Sequence, residues 1–255
     1  MRVLLIVWLG FLGIKNISSG QIVNIEDKLN QKDTIGWFGQ IDVSLSFVRN
    51  SESVLSINGT GRIDYLRERS SNFLLANYRI VRSGASDDLL NDGFVHYRYG
   101  RKITPFLRWE SFGQIQYNER LALLLRTLVG TGPRFSILDK GNQKIFWSVL
   151  YMYEYDKLSE GEHPEFKDHR LSMSVALKLQ LAPNLTFAST SYYQPVLSDF
   201  ADSRVSSINA LNFQISGHLS FRVNFNATYD ARIAKETDDV PSMVYSILNG
   251  LRWTF

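Results

Sequence analysis

The feature that most constrains this chain is alternation. From about residue 37 to the C-terminus, apolar and polar side chains exchange at every second position. A period of two marks strands with one apolar and one polar face. In the first predicted strand, Trp37, Gly39, Ile41, Val43, Leu45 and Phe47 oppose Gln40, Asp42, Ser44 and Ser46. In the clearest, Leu171, Met173, Val175, Leu177, Leu179 and Leu181 oppose Arg170, Ser172, Ser174, Lys178 and Gln180. The rhythm predicts further strands over 55–65, 72–82, 92–100, 105–117, 123–137, 144–156, 185–194, 204–216, 219–231 and 242–255, making about twelve. The 123–137 run is the least regular, because Leu124 and Leu128 fall on the polar face with Arg126 and Arg134.

The length of these runs separates two all-β classes. Soluble strands have a mode near five or six residues, whereas a strand tilted across a bilayer needs about 9–11. Beyond residue 20 no apolar run approaches the roughly 20 residues of a spanning helix. A membrane protein built from such strands must be a barrel, since only helices and closed barrels satisfy their backbone polar groups in lipid. The expected fold is therefore all-β, a transmembrane antiparallel up-and-down barrel of about twelve strands.

The N-terminus supports export. Arg2 precedes an apolar stretch from Val3 to Ile14, and Ser18, Ser19 and Gly20 supply small residues before Gln21, the pattern of a secretory signal peptide. Residues 1–20 are read as that signal, 21–34 as a periplasmic segment and 35–255 as the barrel. An even strand count puts both termini in the periplasm. The outward connections then include 83–91, 157–169, 195–203 and 232–241, which are long and polar, while the inward ones are short; two outward ones, near 50 and 119, are short as well. Tyr97, Tyr99, Tyr153, Tyr155, Trp253 and Phe255 lie near strand ends, where an aromatic belt meets the headgroups.

Charge excludes several partners. Without Arg2 and Lys15, 26 basic residues face 25 acidic ones, and no basic run suggests nucleic acid. There is no cysteine, hence no disulfide, thiol nucleophile or thiolate metal site. The four histidines, His96, His163, His169 and His218, lack the spacing of a zinc pair. Neither metal nor cofactor is expected. Ser220 beside His218 has no adjoining acid and falls at a predicted turn, so the pair reads as a polar turn rather than a hydrolase site.

Chemistry concentrates on the polar face of the strands. Arg62, Asp64, Arg98, Arg108, Glu110, Arg126, Arg134, Glu154, Arg170, Lys178, Arg222, Asp230 and Arg252 all fall there. A charge facing lipid near mid-membrane costs a few kcal/mol, so these residues are expected to face the lumen. They either line a selective path or fill the interior as ion pairs. Eight-stranded barrels are filled and sixteen-stranded ones leave a channel; twelve lies between.

Five phrases resemble a family of outer-membrane barrels sometimes called salt-induced outer-membrane proteins (domain of unknown function 481). They are Gln21-Ile22-Val23-Asn24-Ile25-Glu26, Gly93-Phe94-Val95-His96-Tyr97-Arg98-Tyr99, Gly130-Thr131-Gly132-Pro133-Arg134-Phe135, Tyr151-Met152-Tyr153-Glu154-Tyr155 and Tyr192-Tyr193-Gln194-Pro195. The resemblance spans nearly the whole mature chain. It implies an outer-membrane location in a Gram-negative bacterium and brings no catalytic residues with it. The terminal Phe255 resembles the signal read by barrel-insertion machinery, which is then a partner along with outer-membrane lipid and a possible small solute.

Three functional readings follow. The first is a narrow pore or envelope structural protein without catalysis. The second is a membrane-embedded enzyme acting on envelope lipid or glycan, with His169 and Asp168 as its candidate pair. The third is a soluble periplasmic carbohydrate-binding protein.

Overall fold

The computed structural model describes residues 35–49, 53–84, 89–159, 165–232, 235 and 242–253. The expected signal peptide 1–20 and periplasmic segment 21–34, His163, Phe255 and the side chain of Arg252 lie outside them.

Twelve strands form one sheet in strict chain order. They are β1 (Gly36–Arg49), β2 (Ser53–Leu66), β3 (Ser70–Ser83), β4 (Leu90–Lys102), β5 (Leu107–Asn118), β6 (Leu123–Lys140), β7 (Gln143–Leu158), β8 (Glu165–Ala182), β9 (Leu185–Pro195), β10 (Ser203–Gln214), β11 (Leu219–Asp230) and β12 (Met243–Trp253). Every neighbouring pair is antiparallel. This is the up-and-down architecture that alternation predicts. A pairing of β1 with β12 is not found among the described residues.

The sheet curls so that one face meets itself. Arg204 on β10 reaches Glu154 on β7 at 2.9 Å, and Arg126 on β6 lies 3.8 Å from Asp230 on β11. Strands that are not neighbours touch only across the inside of a curl. The polar face of the alternation is therefore the inner one, at least from β4 to β11. Along β9, for example, Thr190, Tyr192 and Gln194 are buried. The apolar face is turned outward, where Val95, Ile115, Val129, Val205 and Tyr229 are exposed. A sheet that exposes its apolar face inverts the rule for soluble β proteins.

The inside is not wholly polar. Phe112, Leu128, Leu150 and Met152 form a buried cluster on strands β5, β6 and β7. Phe73 and Leu75 form another with Phe94 against them. A third, Leu121, Leu123 and Leu158, packs against Phe166. A fully buried residue such as Met152 is worth about 1.5–3 kcal/mol relative to exposure.

The structure corrects the extent of one connection and explains one irregular strand. The connection placed at 157–169 is mostly strand, because β7 runs to Leu158 and β8 begins at Glu165. Asp168 and His169 are thus strand residues. The irregularity of the sixth strand has a physical cause, since register shifts fall at Leu123/Leu125 and Ser136/Leu138. Next to the first shift Leu124 is turned outward and exposed, whereas Leu128 stays inside on the apolar cluster. Finally, a single 3-10 turn, Glu119–Leu121, joins β5 to β6. The Asn118 side chain accepts from the Leu121 N–H, and Ala122 turns the chain in the left-handed region.

Candidate functional site

Strand alternation delivers charged side chains to the inner face, and the curl brings them together. The centre is Glu154 on β7, which is fully buried. Its carboxylate accepts from Arg170 Nε on β8 at 2.9 Å and from Arg204 Nη1 on β10 at 2.9 Å. Arg204 Nε also donates to Asp230 on β11 at 2.7 Å. Arg126 on β6 grips Asp156 through two bonds of 2.7 and 2.6 Å. Arg170 continues to Asp202 at 3.1 Å and to the Gln194 carbonyl at 3.0 Å. Arg232 completes the chain with contacts to Asp168 and Asp202.

Nine charged groups, four Arg and five carboxylates, thus form one connected network across β6, β7, β8, β10, β11 and two connections. Carboxylates and guanidinium groups alternate within it, so each charge finds an opposite one. Burial by itself would push Arg232 toward its neutral form. Asp168 and Asp202 outweigh that and hold its pKa above the ordinary arginine value.

A second, smaller group sits beside it. Arg98 on β4 donates to Glu110 on β5 at 2.8 Å, and Arg134 Nε on β6 lies 3.9 Å from the same carboxylate. Arg98 stacks over Phe112 and Arg134 over Phe146. Between the two groups remains a chamber of about 30 Å³ lined by His96, Arg98, Gln114, Ser172, Gln194 and Arg204, among others. That is room for about one or two waters.

The other sequence-derived residues fall outside these groups. Arg62 pairs with Asp64 on its own strand at 2.6 Å. Arg108 donates to Ser71 at 3.3 Å. Lys178 and Arg222 make no ion pair among the described residues. Asp156, which alternation puts on the polar face with Glu154, joins the network as expected, whereas the sequence reading missed Arg204, Arg232 and Asp202. Arg204 lies on the polar face of β10, so alternation could have found it. Arg232 and Asp202 lie in connections, where no periodic signal reports direction.

The candidate pair of Asp168 and His169 does not converge. As neighbours on β8 they point to opposite faces. Asp168 meets Arg232 inside, while the His169 ring lies outside, bonded through Nδ1 to the Tyr151 hydroxyl and stacked on that ring. Among the described residues no group of three His, Asp or Glu is placed to hold a metal ion.

The sequence model of a family described as "Protein of unknown function, DUF481" matches residues 41–244. No curated protein matches the chain. Among solved structures, a NanC porin in a rhombohedral crystal form is similar at a TM-score of 0.46 with 10% identity, covering 86% of this chain and 98% of its own. A KdgM porin in complex with disordered oligogalacturonate is similar at 0.44 with 9% identity, covering 83% and 98%.

Proposed function

We propose that this chain, which belongs to the DUF481 family, is an outer-membrane β-barrel whose interior is closed by its own side chains and which serves as an envelope structural protein. The observation that carries this reading is burial. Glu154, Asp156, Arg170 and Arg204 are each no more than 2% exposed. Charges lining a water-filled channel stay hydrated; these have exchanged water for one another. The signal peptide 1–20, periplasmic termini and an insertion signal at Phe255 belong to the same reading, and the charges named above are its lumen-facing residues.

The outward face supports the location. Exposed Trp37, Ile41, Val43, Leu45, Phe47, Ile247, Leu251 and Trp253 are far more apolar surface than a soluble protein tolerates, and lipid is the solvent that suits them. This disfavours the soluble carbohydrate-binding reading.

A second reading, a narrow pore for small solutes, rests on β1. Its polar face, with Gln40, Asp42 and Ser44, is exposed rather than packed, which leaves space beside the network. The enzyme reading has the least support, because its candidate pair faces two ways.

Planar-bilayer reconstitution separates the first two readings. The closed barrel gives heat-modifiable gel mobility and no unitary conductance. Steady channels that pass small sugars would overturn it in favour of the pore.

A further inference from the structure

The outward face of β1 to β5 carries a hollow of about 580 Å³. Two register rows define it. One runs Ile41, Gly61, Ala76, Val95, Ile115, and the next runs Val43, Gly59, Tyr78, Gly93, Tyr117. Gly59, Gly61 and Ala76 form its floor. A Cβ built on Gly59 or Gly61 would meet nothing within 4 Å, so the space is where side chains are missing rather than where the backbone bends away. Large apolar residues wall it, with Ile41 and Val43 on one side and Val95 and Ile115 on the other.

Two cations stand above it on the same face. Arg49 ends β1, and Arg82 shares a register row with Leu55 and Phe47. Both are exposed. Arg82 lies four residues beyond Tyr78, or about 13 Å at the rise of a strand. Half the hydrocarbon thickness of a bilayer is about 15 Å. An anionic headgroup at the arginines would therefore place its acyl chain over the hollow.

We propose that this hollow is a lipid site, taking one acyl chain of an anionic phospholipid whose headgroup lies against Arg49 and Arg82. The inference rests on the outer-membrane reading. A second copy of the chain fits less well. A two-fold axis along the membrane normal keeps equal heights together, and would bring the arginines of both copies to the same level.

The test is native mass spectrometry of the full chain in detergent, titrated with phosphatidylglycerol or with phosphatidylcholine of the same acyl chains. The wild type is expected to retain one phosphatidylglycerol, with about a thirtyfold preference over phosphatidylcholine from its two arginines. Gly61→Leu fills the hollow without a backbone clash and is expected to lose the retained lipid. The double variant Arg49→Gln, Arg82→Gln is expected to lose the preference. Equal lipid adducts in the wild type and Gly61→Leu would overturn the proposal, as would a dimer that Gly61→Leu abolishes. Insertion into vesicles, read by heat-modifiable mobility, reports on the barrel separately. If the wild type inserts and Gly61→Leu binds lipid equally, the lipid site alone falls. If the wild type does not insert, both readings fall.

Discussion

At the scale of single residues, the decisive quantity is the cost of an unmatched buried charge. Glu154 neutralises parts of both Arg170 and Arg204. Removing one partner of a buried pair costs about 3–5 kcal/mol, because the other charge is left without water or counterion. An exposed pair such as Lys157 with Glu165, each about half exposed, is worth at most about 1 kcal/mol. Glu154→Gln keeps the shape of the side chain and deletes the charge, so it is expected to lower stability by about 3–5 kcal/mol. Glu165→Gln is expected to change it by less than about 1. The urea midpoint of the unheated folded gel band, compared among the two variants and the wild type, checks this. Equal midpoints would mean that water reaches Glu154.

At the scale of elements, the strand β6 shows what sequence reveals and what it hides. Alternation gave all twelve strands and, apart from Leu124 beside the first register shift of β6, which face of each is apolar, because a two-residue period is a local property. It missed how far β7 and β8 extend, since the charged stretch around Asp168 reads as loop until Arg232 is known to face it. It also flagged Gly130-Thr131-Gly132-Pro133 only as a familiar phrase. The structure supplies the reasons. A Cβ on Gly130 would lie 2.4 Å from the Phe112 ring, so this glycine makes room for the inner apolar cluster. A Cβ on Gly132 would lie 2.4 Å from the Val149 carbonyl oxygen and 2.7 Å from the Leu150 Cα, both backbone atoms of β7. Side chains can yield, but a paired strand cannot shift without breaking its ladder. Gly132→Ala is therefore expected to reduce the yield of folded, heat-modifiable protein severely, whereas Gly61→Ala, with open space around it, is expected to fold like the wild type. Normal folding of Gly132→Ala would show that β6 and β7 are more loosely paired than their register implies.

At the scale of the whole molecule, twelve strands sit between the filled and the hollow barrels, and side-chain volume decides which a chain becomes. Here long side chains from opposite walls, Arg204 and Arg126 against Glu154 and Asp230, meet in the middle. The members of this network were partly legible from alternation, but their meeting was not, because it depends on the curl that brings β6 to β11. Closure by ion pairs makes a specific demand, which a barrel closed by its apolar clusters would not share. Taking out one pair of opposite charges removes two long side chains while leaving the net charge unchanged. In Glu154→Ala, Arg204→Ala, Arg126 still holds Asp156 and Arg170 still holds Asp202, so the remaining charges keep partners. This double variant is expected to fold with reduced stability and to show small, steady conductance steps in planar bilayers where the wild type shows none. The control is Leu128→Ala, Met152→Ala, which empties the apolar cluster at a cost of about 2–5 kcal/mol for each residue and leaves the network in place. If the control conducts and the charge-pair variant stays silent, the seal lies in the apolar cluster, and the ion pairs serve only to fix the curl.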